Sequence, residues 1–211
     1  MKKILYISYD GITDPLGQSQ VLPYLKGLAA RGHQIIILSL EKPGAFSALR
    51  INIEKEIQHS NIEWKPLAYK NQYPVISAMQ NAQLMRKTAK DIAKTQNIDI
   101  AHCRGYLPAI TGLKLKNKYG VKLLFDMRGF WADERVEGGI WNRNNPLFAF
   151  IYRYFKWQEK RLFKSADAIV SLTEAGKNII NGWPYMNRNT EQISVIPCCA
   201  DLNRFSRKDI D

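Results

Sequence analysis

The 211-residue chain is 45% hydrophobic and 24% charged, an ordinary globular balance that excludes disorder, collagen and coiled coil as descriptions of the whole and fits one domain, or one and a small piece. Thirty-one Lys and Arg against nineteen Asp and Glu leave a net charge of +12, which favours anionic partners: nucleic acid, an acidic lipid surface or phosphate-bearing small molecules. Three cysteines, Cys103 and the adjacent Cys198 and Cys199, make neither a disulfide framework nor a spaced zinc site, and suit a reducing compartment.

The first apolar run, 3–8, soon meets Asp10 and is too short for a signal-peptide core. No later run approaches the roughly 20 residues of a membrane span. The expectation is a soluble, cytoplasmic protein. Further short runs rich in Ile, Val and Leu follow at 34–40, 62–68, 98–103, 122–126, 168–172 and 193–196. Such nearly continuous runs mark strands covered on both faces. Between them, helical patterns occupy 20–31, 75–96, 107–119, 146–164 and 174–181, with a weaker one at 45–59 whose charges interrupt the apolar stripe. Seven strands alternating with helices predict an α/β, Rossmann-like, doubly wound and mostly parallel sheet with helices on both faces.

In such sheets ligands bind beyond the carboxyl ends of the strands. After the first strand come Gly11, Gly17 and Gln18, opening into a helix. Glycines there let backbone approach a ligand, and a helix N-terminus offers free N–H groups to an anion; a turn that merely connects is the alternative. Five residues separate Gly11 from Gly17, and Gln18 stands where a Walker A loop requires Lys, so this is neither that loop nor a G-x-G-x-x-G fingerprint. The fourth strand exits through His102, Cys103, Arg104 and Gly105. His102 reads as a ligand-facing or a satisfied core histidine, and Cys103 has no identifiable base to make it a nucleophile.

The fifth strand exits through Asp126-Met127-Arg128-Gly129-Phe130-Trp131, followed by Asp133, Glu134 and Arg135. Asp126 has the chemistry to orient a substrate hydroxyl or act as a base, and Arg128 to clamp a phosphate or carboxylate. Internal Asp126–Arg128 or Glu134–Arg135 ion pairs are the structural alternative. Gly138 and Gly139 predict a mobile loop, anchored by Trp131 and Trp141. In the next helix Glu159 shares the core stripe of Phe148, Ile151, Tyr152, Phe155 and Leu162; a carboxylate there needs a partner, with Arg128 the candidate. Another face sets Arg153, Lys156, Lys160 and Lys164 beside Phe150, Tyr154 and Trp157, the pattern of a membrane-surface helix or of a solvated face beside a large core contact.

The run Leu28-Ala29-Ala30-Arg31-Gly32-His33-Gln34-Ile35 resembles the Leu-Ala-x-x-Gly-His-x-Val stretch of family 4-like glycosyltransferases of the GT-B fold. Ala166-Asp167-Ala168-Ile169-Val170-Ser171-Leu172-Thr173 is similar to their Ala-Asp-x-Val-x-x-x-Ser/Thr strand, and the run from Val195-Ile196-Pro197 to Asp201 and Phe205 to their Val-Ile-Pro-Asn-Gly-Val-Asp-x-x-x-Phe exit. The resemblance implies two Rossmann-like domains with the active site between them. Residues 1–197 would be the N-terminal, acceptor-side domain, and 198–211 a connector toward a C-terminal donor-binding domain. The implied activity is transfer of a hexose-like sugar, with retention, from a nucleotide sugar to a glycan or lipid-linked acceptor, as in polysaccharide biosynthesis. It implies no metal or other cofactor, and a 211-residue chain that is inactive alone.

Carried over by position, Gly17 and Gln18 would approach the donor diphosphate and the acceptor. Asp126 stands where many relatives place a histidine, within Asp-Met-Arg-Gly-Phe-Trp, close to a subgroup reading Asp-x-Arg-Asp-x-Trp from which Gly129 departs. The expected site is thus Asp126 as catalytic group, with Gly17, Gln18, His102, Arg104, Arg128 and Glu134 binding substrate. A basic balance also suits peripheral contact with an anionic membrane at its inner face. A stand-alone nucleotide-binding module or oxidoreductase half would put an acid such as Glu41 near the second strand's end but lacks the glycine fingerprint. A nucleic-acid binder has only the local run Lys114, Lys116, Lys118 and Lys122 in its favour, with no recognition motif, so no nucleic acid is expected.

Overall fold

The computed structural model describes residues 1–186 and 193–198. Strand β1 (Lys3–Ser8) is buried from Ile4 onward and β2 (Gln34–Glu41) from Ile35 onward. Both faces of each are covered, as their unbroken Ile and Leu runs require. With β3 (Ile62–Ala68), β4 (Ile100–Arg104), β5 (Lys122–Asp126), β6 (Ala168–Ser171) and β7 (Ile193–Val195) they form one seven-stranded sheet. Its order is β3-β2-β1-β4-β5-β6-β7, and every pairing is parallel.

Helices α1 (Leu22–Ala30) and α2 (Pro43–Ile57) cover one face, where Val21, Leu22, Leu25, Ile53 and Ile57 bury against Tyr6, Ile35 and Ile37. Helices α3 (Pro74–Thr95), α4 (Tyr106–Tyr119) and α6 (Pro146–Ser165) cover the other, around Leu5, Ile7, Leu38, Cys103, Leu123 and Phe125. Helix α7 (Glu174–Asn181) adds Ile180 to that second core. The connections change face between β1 and β4, and that reversal opens a crevice at the carboxyl edge of the sheet.

Four local differences from the sequence reading have physical causes. The fourth strand starts at Ile100, because the Asp99 carboxylate accepts the Lys3 N–H at 2.8 Å and ties the preceding connection to β1. It runs on to Arg104, whose side chain is therefore held by the sheet. The first helix opens with a π-helical turn at Gly17–Val21. Helix α2 forms in full because Ile53 and Ile57 reach the core and the Phe46 ring packs on Trp64 at 5.7 Å. Finally, the segment expected as a loop holds a short helix, α5 (Trp131–Glu137), and Gly138 and Gly139 lie at its end.

Candidate active site

Parallel register sets the ends of three strands in one row: Ser8 opposite Arg104, and Arg104 opposite Asp126. Alternation puts His102 on the same face as Arg104, beneath it, opposite Tyr6. Asp126 is only 4% exposed. One of its oxygens lies 3.7 Å from His102 Nε2 and 4.0 Å from Arg104, and the other accepts from Arg128 at 3.4 Å. Burial pushes the Asp126 carboxyl up, but His102, Arg128 and Arg104 together hold it below the ordinary range. His102 also meets the Tyr24 hydroxyl of α1 at 3.4 Å and the edge of the Tyr6 ring.

Arg128 spans the edge of the crevice. Besides Asp126 it donates to Gln20 Oε1 at 3.2 Å and to Cys198 Sγ at 3.2 Å. It thereby links the first-helix region, the fifth strand and the segment after β7. Arg104 is 7% exposed, and among the described residues its side chain has only a long ion pair, to Asp126. Gly105, at φ +80, turns the chain directly from β4 into α4. A cleft of about 200 Å³ opens here, lined by Tyr9, Asp10, Arg104 to Pro108, Arg128, Gly129, Trp131, Glu134 and Arg135. The N-terminus of α4, with its unpaired N–H groups, thus faces a space shared with three arginines, an arrangement that favours a negatively charged ligand.

The far wall is built by α5 and α6. Trp131 packs against Phe155 at 4.7 Å and Trp141 at 5.2 Å, and the Arg135 guanidinium lies 5.2 Å from the Trp131 ring centre. Asp133 latches α5 to α6 by accepting from Tyr152 at 2.8 Å and Lys156 at 2.9 Å. The Glu134 carboxylate lies against Gly129, so closely that a Cβ at that position would displace it. It has no hydrogen bond or ion pair among the described residues, and it lines the cleft. No Glu134–Arg135 ion pair forms there, whereas the Asp126–Arg128 pair does.

The partner of Glu159 is not Arg128. Its carboxylate accepts the Tyr106 hydroxyl at 2.7 Å and pairs with Lys156 one turn earlier, because α6 packs on α4 rather than on the β5 exit. Burial pushes Glu159 up, and Lys156 and Tyr106 only partly oppose it. Cys103 is fully enclosed, burial pushes its thiol up, and Gly112 of α4 packs onto its sulfur, the surroundings of an inert core cysteine.

Of the residues singled out in the sequence, Arg104, Arg128 and Glu134 line the cleft, while His102 and Asp126 stand immediately behind its wall. Gly17 is buried against the backbone of Gly11 and Ile12, and Gln18 donates to the Thr13 carbonyl at 3.0 Å. The backbone N–H groups of Ile12 and Thr13 donate to the buried Glu41 carboxylate at 2.8 and 3.1 Å. This chain's own carboxylate therefore occupies the anion position of that loop, and Glu41 is not free to meet a ribose. Cys199 and the rest of the connector from 199 onward lie outside the described residues. Tyr9, Tyr106 and Trp131 are lining residues that the sequence did not disclose, because aromatic residues at element ends read as core. Among the described residues no three His, Cys, Asp or Glu side chains gather as metal ligands.

The comparisons with known proteins agree with the fold. Three solved structures share the fold: sucrose-phosphate synthase from Thermosynechococcus elongatus (14% identity, 96% of this chain and 49% of that one, TM-score 0.62); a glycosyltransferase from Rickettsia africae (18%, 100% and 46%, 0.57); and Anabaena HepE in complex with UDP and glucose (14%, 96% and 46%, 0.56). The chain spans about half the length of these structures, and its sheet is that of the N-terminal Rossmann-like half of a GT-B fold. A comparison with curated proteins found no match. The family model for Glycosyltransferase Family 4 matches residues 18–204, and the chain belongs to that family.

Proposed function

We propose that this chain is the acceptor-binding half of a retaining glycosyltransferase that moves a hexose-like sugar from a nucleotide sugar to a glycan or lipid-linked acceptor in the cytoplasm. One observation carries the reading: Arg104, Arg128 and Glu134 converge on one cleft at the strand reversal, in front of the α4 N-terminus. That UDP and glucose accompany the similar HepE structure supports a nucleotide-sugar donor.

In this reading the cleft seats the acceptor, and a second Rossmann-like domain brings the donor across it. Arg104, Arg128 and the α4 N-terminus hold an anionic group, on the acceptor or on the donor diphosphate where it meets this edge. Glu134, a carboxylate without a partner among the described residues, accepts the acceptor hydroxyl and fixes its direction of attack. The acceptor oxygen bonds to the anomeric carbon as the bond to the diphosphate breaks, and the acceptor's hydroxyl proton passes to the departing phosphate oxygen. The electron pair leaves with the diphosphate, whose charge the arginines help to stabilise. Asp126 acts through Arg104 and Arg128 as a positioning residue, and Gly17 and Gln18 shape the loop that faces the donor. Transfer proceeds without a metal, so EDTA leaves the rate unchanged.

The test is Arg128→Ala in the complete enzyme. Transfer falls by about a hundredfold or more, as for the loss of a charged contact that orients and stabilises the reacting groups, while far-UV circular dichroism stays that of the parent. Near-normal turnover would remove Arg128 from the site and with it the cleft assignment.

A further inference from the structure

Helices α3, α4 and α6 lie side by side on one face of the sheet, α3 packing on α4 and α4 on α6. Helices α3 and α4 lead directly into the starts of β4 and β5, and α6, which follows α5, into the start of β6, so the first turns of all three sit at the carboxyl edge of the sheet, with the cleft at the start of α4 between the other two. The outward residues of α6 form a single stripe at helical spacing: Leu147, Phe150, Tyr154 and Trp157, then Lys160, Arg161 and Lys164. Phe150 is 64% exposed and Trp157 53%. Helix α3 repeats the arrangement, with Ile76 at 55% and Met79 at 69% exposure near its start and Arg86, Lys87 and Lys90 behind them. Tyr73, immediately before α3, and Ile140, before α6, are exposed as well.

Monomeric proteins rarely display so many large apolar side chains together without a use for them. The charges around them are one-sided. Residues 69–95, through the end of α3, carry five cations and one acid, Asp91, and residues 138–166 carry six cations and a single acid, Glu159. Glu159 is wholly buried and engaged by Tyr106 and Lys156, and Asp91 offsets one of the five cations of the α3 stretch, so both stripes keep a positive balance. On each helix the apolar part is nearest the cleft mouth and the cationic part follows, Lys160 lying ten residues or about 15 Å beyond Phe150.

We propose that this edge is a docking surface for an anionic lipid bilayer. The first turns of α3 and α6 enter the headgroup boundary on either side of the cleft, and the cations behind them meet acidic headgroups. Docked in this way, the cleft between α3 and α6 opens at the membrane, where an acceptor with a lipid tail presents its polar end. Membrane docking stands on the exposed stripes alone and does not depend on the sugar-transfer reading.

The experiment is co-sedimentation of the protein with vesicles of phosphatidylcholine alone and of phosphatidylcholine with phosphatidylglycerol, at low and high salt. The expected result is binding to the anionic vesicles only, falling as salt rises. The pair Phe150→Ser and Trp157→Ser, the pair Ile76→Ser and Met79→Ser, and the pair Arg153→Glu and Lys160→Glu each lower partitioning by about tenfold or more. All six positions are exposed, and circular dichroism checks that each variant keeps the parent's fold. Equal binding to neutral vesicles, parent-like binding by the variants, or no binding at low salt would overturn the proposal. So would a concentration-dependent dimer that Phe150→Ser and Trp157→Ser dissolve while vesicles capture nothing, since the face would then belong to a second copy of the chain.

Discussion

A carboxylate that is 4% exposed would be driven toward its neutral form by burial alone, yet Asp126 is held on the ionised side by His102, Arg128 and Arg104. Its native pKa is thus depressed below the unfolded value of about 3.9. The stabilisation that follows is complete above roughly pH 4 and is lost as pH falls through the lower native value. Asp126→Asn keeps the shape and removes the charge, leaving Arg104 and Arg128 facing each other across the same space. The expected cost at pH 7 is about 2 kcal/mol. In urea titrations the gap between parent and variant narrows as pH falls below roughly 4; a gap independent of pH would mean that Asp126 acts by packing rather than by charge. The acid, the arginine and the glutamate at the fifth strand's exit were readable from sequence because strand exits mark the crevice of a parallel sheet. The long-range pairings were not. Glu41 binds a loop some 29 residues away, and Glu159 reaches Tyr106 across 53 residues. Nothing in local spacing distinguishes such a partner from Arg128.

At the scale of elements, two glycines hold the site's backbone for different reasons. A Cβ at Gly17 would fall against the Gly11 carbonyl and 2.6 Å from the Ile12 Cα, both fixed backbone atoms. Gly105 has open space around its Cβ position, but its φ of +80 and ψ of −179 belong to a region that side-chain-bearing residues rarely enter. Gly17→Ala and Gly105→Ala are each expected to cost about 1–3 kcal/mol, the first by overpacking and the second by backbone strain. Urea midpoints measure both, and a midpoint within error of the parent for either would refute the reason given for it. The strands and long helices were legible because continuous apolar runs and amphipathic stripes are dictated by burial on two faces or one. Helix α5 was not, since seven residues that include three acids and an arginine carry too short a period to stand out. What fixes it is tertiary: the Asp133 latch to Tyr152 and Lys156, and Trp131 set among Tyr106, Trp141 and Phe155.

At the scale of the whole molecule, the sheet has a closed core on each face, whereas its cleft, walled by the start of α4 and by α5, is open at its mouth. The two cores provide for folding without help, since neither draws on a second domain. The cleft does not provide for transfer in the same way. Its arginines and α4 N-terminus offer charge to a ligand, but among the described residues nothing covers the cleft mouth to enclose a diphosphate and exclude water, which is where such groups gain most of their effect. The chain also spans about half the length of the structures it resembles. The purified 211-residue chain is therefore expected to unfold cooperatively in urea, as a folded domain does, and to release no nucleoside diphosphate from a nucleotide sugar in the presence of acceptor. On the sugar-transfer reading proposed above, supplying a second Rossmann-like domain, in the same chain or as a separate one, is expected to restore transfer. A coupled assay for the released diphosphate reads the outcome directly. Turnover by the chain alone would show that one Rossmann-like half suffices, and a non-cooperative urea transition would show that the two cores do not fold as one unit by themselves.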